Sequence, residues 1–107
     1  MSIENLDESS FDRALAASEL PLVVDFWASW CGPCRAMAPM FEAAARDLQG
    51  RARFAKVDTD QAPALARRFA VRSIPTLVLF RGGHAMKRIS GAMDAASLVR
   101  WVDAGNP

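Results

Sequence analysis

Cys31 and Cys34 are the only thiols in the chain and stand three positions apart, around Gly32-Pro33. Thiols at that spacing can open a disulfide in another molecule: one thiolate attacks it, and the second thiol releases the resulting mixed disulfide. The pair follows an apolar stretch and opens a helical pattern, with Pro33 in a first turn where a missing N–H costs nothing. Free backbone N–H groups and the positive end of the helix dipole stabilise an anion there, so the Cys31 thiol is expected below its ordinary pKa of about 8.5. A drop of roughly 1.5 would raise the thiolate fraction near neutral pH about 15-fold. A Brønsted slope of about 0.5 would take back about 5-fold, leaving a gain of roughly threefold. Direction matters more than size. Cys31, at the helix tip, is expected to be the more ionised and more exposed sulfur and hence the nucleophile, with Cys34, one turn deeper, as the resolving thiol.

Duller fates of the pair fit less well. A structural zinc site needs four ligands, and beyond the two cysteines the chain offers one histidine, His84, in a turn. No metal is therefore expected. A permanent staple between residues three apart is unusual in a reducing compartment, and plain burial suits a lone cysteine better than a pair at a strand-to-helix junction.

The elements that must position the pair read as follows. Residues 21–27 are apolar on both alternating faces except at Asp25, the pattern of a central strand covered by helices on each side. Cys34, Met37, Phe41, Ala44, Ala45 and Leu48 form one stripe of a long helix ending near Gly50, with Pro39 inside it as a site for a kink. A first helix covers residues 9–18, with Phe11, Ala14, Leu15 and Ser18 on one face, and a strand covers 53–57. Ala62, Leu65, Ala66 and Phe69 mark a third helix. Residues 76–80 and 86–90 flank the hairpin signal Arg81-Gly82-Gly83-His84, and a last helix carries Ala95, Leu98, Val99 and Val102 behind the cap Asp94. With a short edge strand near Ile3, this order predicts an α/β fold: a central mixed β-sheet flanked by helices on both faces. Periodicity leaves the strand order open.

At 107 residues, residues 1–107 are read as a single domain, and 51% hydrophobic with 23% charged residues is the composition of a water-soluble fold. A formal net charge of +1 with scattered cations gives no face for a phosphate backbone, so no nucleic acid partner is expected. The apolar runs are strand-sized, so no membrane partner is expected either. The N-terminal residues are acidic and lack the pattern of a secretory signal, which leads to an expectation of a cytoplasmic location.

The stretch Val24-Asp25-Phe26-Trp27-Ala28-Ser29-Trp30-Cys31-Gly32-Pro33-Cys34 resembles the active-site segment of the thioredoxin family. Lys56-Val57-Asp58, Ser73-Ile74-Pro75-Thr76 and Gly91-Ala92 resemble its later landmarks at matching spacing, so the likeness covers nearly the whole chain. In detail it is most similar to the second bacterial type, without the N-terminal zinc-binding cysteines of that type. The resemblance implies the thioredoxin fold and a catalytic role for Asp25, which exchanges a proton with Cys34. A structural carboxylate paired with Lys56 is the competing reading of Asp25. Lys56 resembles the lysine that tunes the carboxylate, although a plain strand-end lysine is a close alternative. The resemblance further implies a cis Ile74-Pro75 bond facing the cysteines. Trp30, Gly32, Pro33, Ile74, Pro75, Gly91 and Ala92 would then form an apolar substrate surface, with Trp27 assigned to the core. Ser73, Ser90 and Arg35 depart from the usual Gly, apolar residue and Lys. His84 and Arg67-Arg68 carry no evident role and default to a solvated face.

The expected activity is that of a protein disulfide reductase, a monomer with a redox-active Cys31–Cys34 disulfide and no bound cofactor. The resemblance implies disulfide-containing proteins as its substrates and a flavin-containing thioredoxin reductase that returns its electrons from NADPH. A disulfide oxidant or isomerase would want an oxidising compartment. A redox-sensitive binding subunit is the alternative from another class; replacing both cysteines by serine separates the two, since a scaffold keeps its effect.

Overall fold

The computed structural model describes residues 3–17 and 19–104. Along the chain lie β1 (Glu4–Leu6), α1 (Phe11–Ala17), β2 (Leu22–Trp27), α2 (Gly32–Asp47), β3 (Arg53–Asp58) and α3 (Pro63–Arg68). They are followed by β4 (Thr76–Arg81), β5 (His84–Ser90) and α4 (Ala95–Asp103). The expected order holds, although Ser18 of the first helical stripe lies outside the described residues. The α2 stripe of Cys34, Met37, Phe41, Ala44, Ala45 and Leu48 is buried throughout, and the helix runs on through Pro39. Asp94 caps α4, its carboxylate accepting from the Ser97 N–H at 2.8 Å.

The strands form one mixed sheet in the order β1-β3-β2-β4-β5. β1 and β2 run parallel to β3, whereas β4 is antiparallel to both β2 and β5. Gly82 and Gly83 both take positive φ, 60° and 82°, the geometry of a two-residue hairpin whose twist matches the strands. β5 begins at His84, two residues before the expected start, because its first residues are exposed on an edge strand and show no apolar alternation.

Alternation along β2 separates two cores. Leu22, Val24 and Phe26 join Phe11 and Leu15 of α1 and Leu65 of α3 on one face. Val23 meets Met37 and Phe41 of α2 and Leu98 and Val102 of α4 on the other. Arg67, Arg68 and His84 are exposed, as expected, and on the α1 side Arg68 pairs with Asp12 at 2.9 Å while its guanidinium lies over the rings of Phe11 and Phe69. Arg53 holds the edge strand β1. Its Nη2 donates to Glu4 Oε2 at 2.7 Å and its Nη1 to the Ala14 carbonyl at 3.1 Å.

Candidate functional site

Cys31 is the N-cap of α2 in extended conformation, with Pro33 in the first turn behind it, as the sequence predicts. Its Sγ accepts from the Cys34 N–H at 3.2 Å, so one of the free donors of the helix end already faces the sulfur that must carry negative charge. The two cysteines are joined in a disulfide with Cα atoms 5.2 Å apart. Cys31 keeps 5% of its surface and Cys34 1%, so Cys31 is the more exposed sulfur, as expected, while both are buried. The reason is packing: Trp27 and Ile74 close over the cluster of Ala28, Cys31 and Cys34. Trp30, Gly32 and Pro33 around it remain exposed. The Ile74 carbonyl oxygen lies 3.7 Å from Cys31 Sγ, placed to accept from the thiol once the bridge is opened.

Asp25 is fully buried, and neither carboxylate oxygen has a hydrogen-bond partner among the described residues. Strand alternation points it to the face of Val23, beneath α2, and its position near the end of β2 places it toward the Cys34 end of that helix. Burial pushes its pKa up from 3.8 to about 7, against a weaker pull downward from the Lys56 charge. Lys56 is its cross-strand neighbour on β3. Yet the lysine makes no ion pair with it, and the Lys56 ammonium sits 4.4 Å over the ring of Trp27. The paired structural carboxylate considered as the alternative is therefore absent. Trp27 is half-buried, one part of it core and one part a seat for Lys56.

The Ile74-Pro75 bond is cis. Pro75 is buried and Ile74 half-buried, and the Gly91 N–H donates to the Pro75 carbonyl at 2.9 Å, which brings the exposed Gly91 and Ala92 beside the cis bond. Gly91 has φ 103°, a conformation that favours glycine. Sequence reasoning missed Asp60. The Trp30 indole, 67% exposed beside the disulfide, donates to its carboxylate at 2.9 Å. Asp60 is itself held in a turn, its N–H donating to Asp58 Oδ1 at 2.9 Å. The run Asp58-Thr59-Asp60 signals a turn, but nothing local tells which distant ring it anchors. Among the described residues no three of His, Cys, Asp and Glu converge as metal ligands, and no helix is long and apolar enough to cross a membrane.

A dithiol closed across the first turn of a helix beside a cis proline, with a buried carboxyl on the strand that leads to it, has the parts that thiol–disulfide exchange requires. The Thioredoxin family model matches residues 2–104. The chain is 41% identical over 96 residues to Thioredoxin 1 of Nostoc sp., covering 90% of each chain. It is 46% identical over 100 residues to the Bifunctional thioredoxin reductase/thioredoxin of Mycobacterium leprae, covering 94% of this chain and 22% of that one. Against chloroplastic Thioredoxin M4 of Arabidopsis thaliana it is 36% identical over 103 residues, covering 96% of this chain and 53% of the relative. The chain thus spans about half or less of the length of some curated relatives it matches and nearly all of others. The chain belongs to the thioredoxin family.

Proposed function

We propose that the chain reduces disulfides in other proteins. In the reduced form the Cys31 thiolate attacks a substrate disulfide: the Cys31–substrate S–S bond forms, the substrate S–S bond breaks, and the departing sulfur leaves as a thiolate that takes up a proton. Cys34 then attacks Cys31 Sγ, losing its proton to Asp25, and the second substrate sulfur departs. Two electrons have passed to the substrate, and the Cys31–Cys34 disulfide seen in this structure is the product. That disulfide at the cap of α2 is the observation that carries the reading. Asp25, with a pKa near the working pH, suits proton exchange better than an ordinary carboxylate, and Lys56 tunes it through its charge. The exposed Trp30, Gly32, Pro33, Gly91 and Ala92, with the half-buried Ile74, are the docking surface, and the buried Pro75 shapes it from beneath through its cis bond.

A thioredoxin reductase drawing on NADPH is the proposed source of the returning electrons; the Mycobacterium leprae relative, named for both activities, supports that pairing. The reading has a monomer at work in a reducing compartment, the cytoplasm by the expectation above, whereas several relatives are named chloroplastic. Insulin reduction driven by dithiothreitol tests the activity. Cys31→Ser should abolish it, and Cys34→Ser should trap a stable mixed disulfide with the substrate. Turnover surviving Cys31→Ser would overturn the assignment of roles.

A further inference from the structure

The docking surface carries a hydroxyl whose hydrogen-bond polarity is fixed by proton counting. Thr76 is buried, and its Oγ1 donates to the Ser73 carbonyl at 2.5 Å. A threonine hydroxyl has a single proton, so in its second contact, with Ser90 Oγ at 2.8 Å, Thr76 must accept and Ser90 must donate. The one proton of Ser90 is thereby committed inward, and its oxygen has only lone pairs left for anything outside. Ser90 is exposed. It faces Thr76 across the end of the β4–β5 ladder and precedes Gly91, whose N–H is bound to the carbonyl of the cis proline. An acceptor-only oxygen therefore stands beside the Ser73–Thr76 segment, whose Ile74 carbonyl lies 3.7 Å from Cys31 Sγ, at the position where the family resemblance sets an apolar residue.

We propose that Ser90 is a specificity-determining residue, its Oγ accepting a hydrogen bond from one backbone N–H of the substrate segment docked along this rim. The proposal rests on the disulfide-reductase reading. An extended segment offers N–H groups whatever its side chains, which suits an enzyme with many substrates. A segment whose matching position is proline or otherwise lacks the N–H would strip water from the Ser90 lone pairs and return nothing, and such a site rejects the ligand that lacks the donor.

The test uses disulfide-linked peptides in which the backbone N–H groups flanking the attacked cysteine are replaced by N–CH3 one at a time. Each is reduced by the reduced full chain and by its Ser90→Ala and Ser90→Thr variants. At one flanking position N-methylation should lower kcat/KM of the unaltered protein about three- to tenfold, chiefly through KM. Ser90→Ala should handle the parent peptide less well by a similar factor and be indifferent to methylation at that position, while Ser90→Thr, which keeps the hydroxyl, should regain the sensitivity. Losses on methylation that persist undiminished in Ser90→Ala at every position overturn the proposal, as does Ser90→Ala matching the unaltered protein on every peptide. A chain that cannot reduce the parent peptide at all overturns the reductase reading as well, whereas normal reduction without a Ser90-dependent loss overturns the acceptor alone.

Discussion

A carboxyl group buried between sheet and helix holds its proton more easily than it releases it, and Asp25 is so buried, with no hydrogen-bond partner for either oxygen among the described residues. Its folded pKa of about 7 stands above the unfolded value of 3.8. Between those two values the unfolded chain is ionised while the folded one still binds the proton, so stability falls as pH rises through this window and levels off above it. The full cost is about 4 kcal/mol. Asp25→Asn removes the titration, so urea unfolding should show the variant more stable by about 4 kcal/mol above the folded pKa and no different below the unfolded one. A gain equal at every pH would mark repacking instead of charge. The same variant should release trapped substrate about a hundredfold more slowly, with the inflection near neutrality gone from its pH–rate profile. Residue by residue, much of this site was legible: Asp25 is the one charge in an otherwise apolar strand, and the cysteine spacing is specific. Asp60 was not, because the ring it anchors lies thirty residues away in the chain, a relation no local pattern encodes.

Helices and strands announced themselves where burial is periodic and blurred where it is not. The α2 stripe is buried at every position read from spacing, whereas the start of β5 is exposed and carries no period to detect. β1 is a three-residue edge strand whose attachment depends on a side chain from its neighbour: Arg53 grips Glu4 with Nε at 3.0 Å and Nη2 at 2.7 Å. The pair is partly exposed, so the expected worth of the grip is about 1 kcal/mol. Glu4→Ala should therefore lower global stability by about that amount, and hydrogen exchange should quicken selectively at the amides of β1. Uniform quickening across the sheet would show that the pair supports the whole fold and not the edge.

At the scale of the molecule the sheet is a partition. Phe11 belongs to the core on one side, with Phe69 and Phe80 ring centroids at 5.4 and 5.6 Å, and Phe41 to the other, against Phe54 at 5.0 Å. Phe11→Leu and Phe41→Leu should each cost about 1 kcal/mol and add within about 0.5 kcal/mol when combined, since they share no neighbours. A larger coupling would mean the sheet transmits repacking from face to face. This division was legible in the alternation of β2, but the strand order was not: periodicity records which face is covered and says nothing of which strand lies alongside, so the insertion of β3 between β1 and β2 had to be seen. The bridge itself closes a ring spanning only residues 31–34. Tying so short a loop restricts the unfolded chain by only about 2 kcal/mol, and the two layers of packing beneath it are built without its help. Charging and discharging the molecule with electrons should accordingly leave the body unaltered, like a handle under an exchangeable tip. Any partner that must tell the loaded form from the spent one has a single small corner on which to feel the difference.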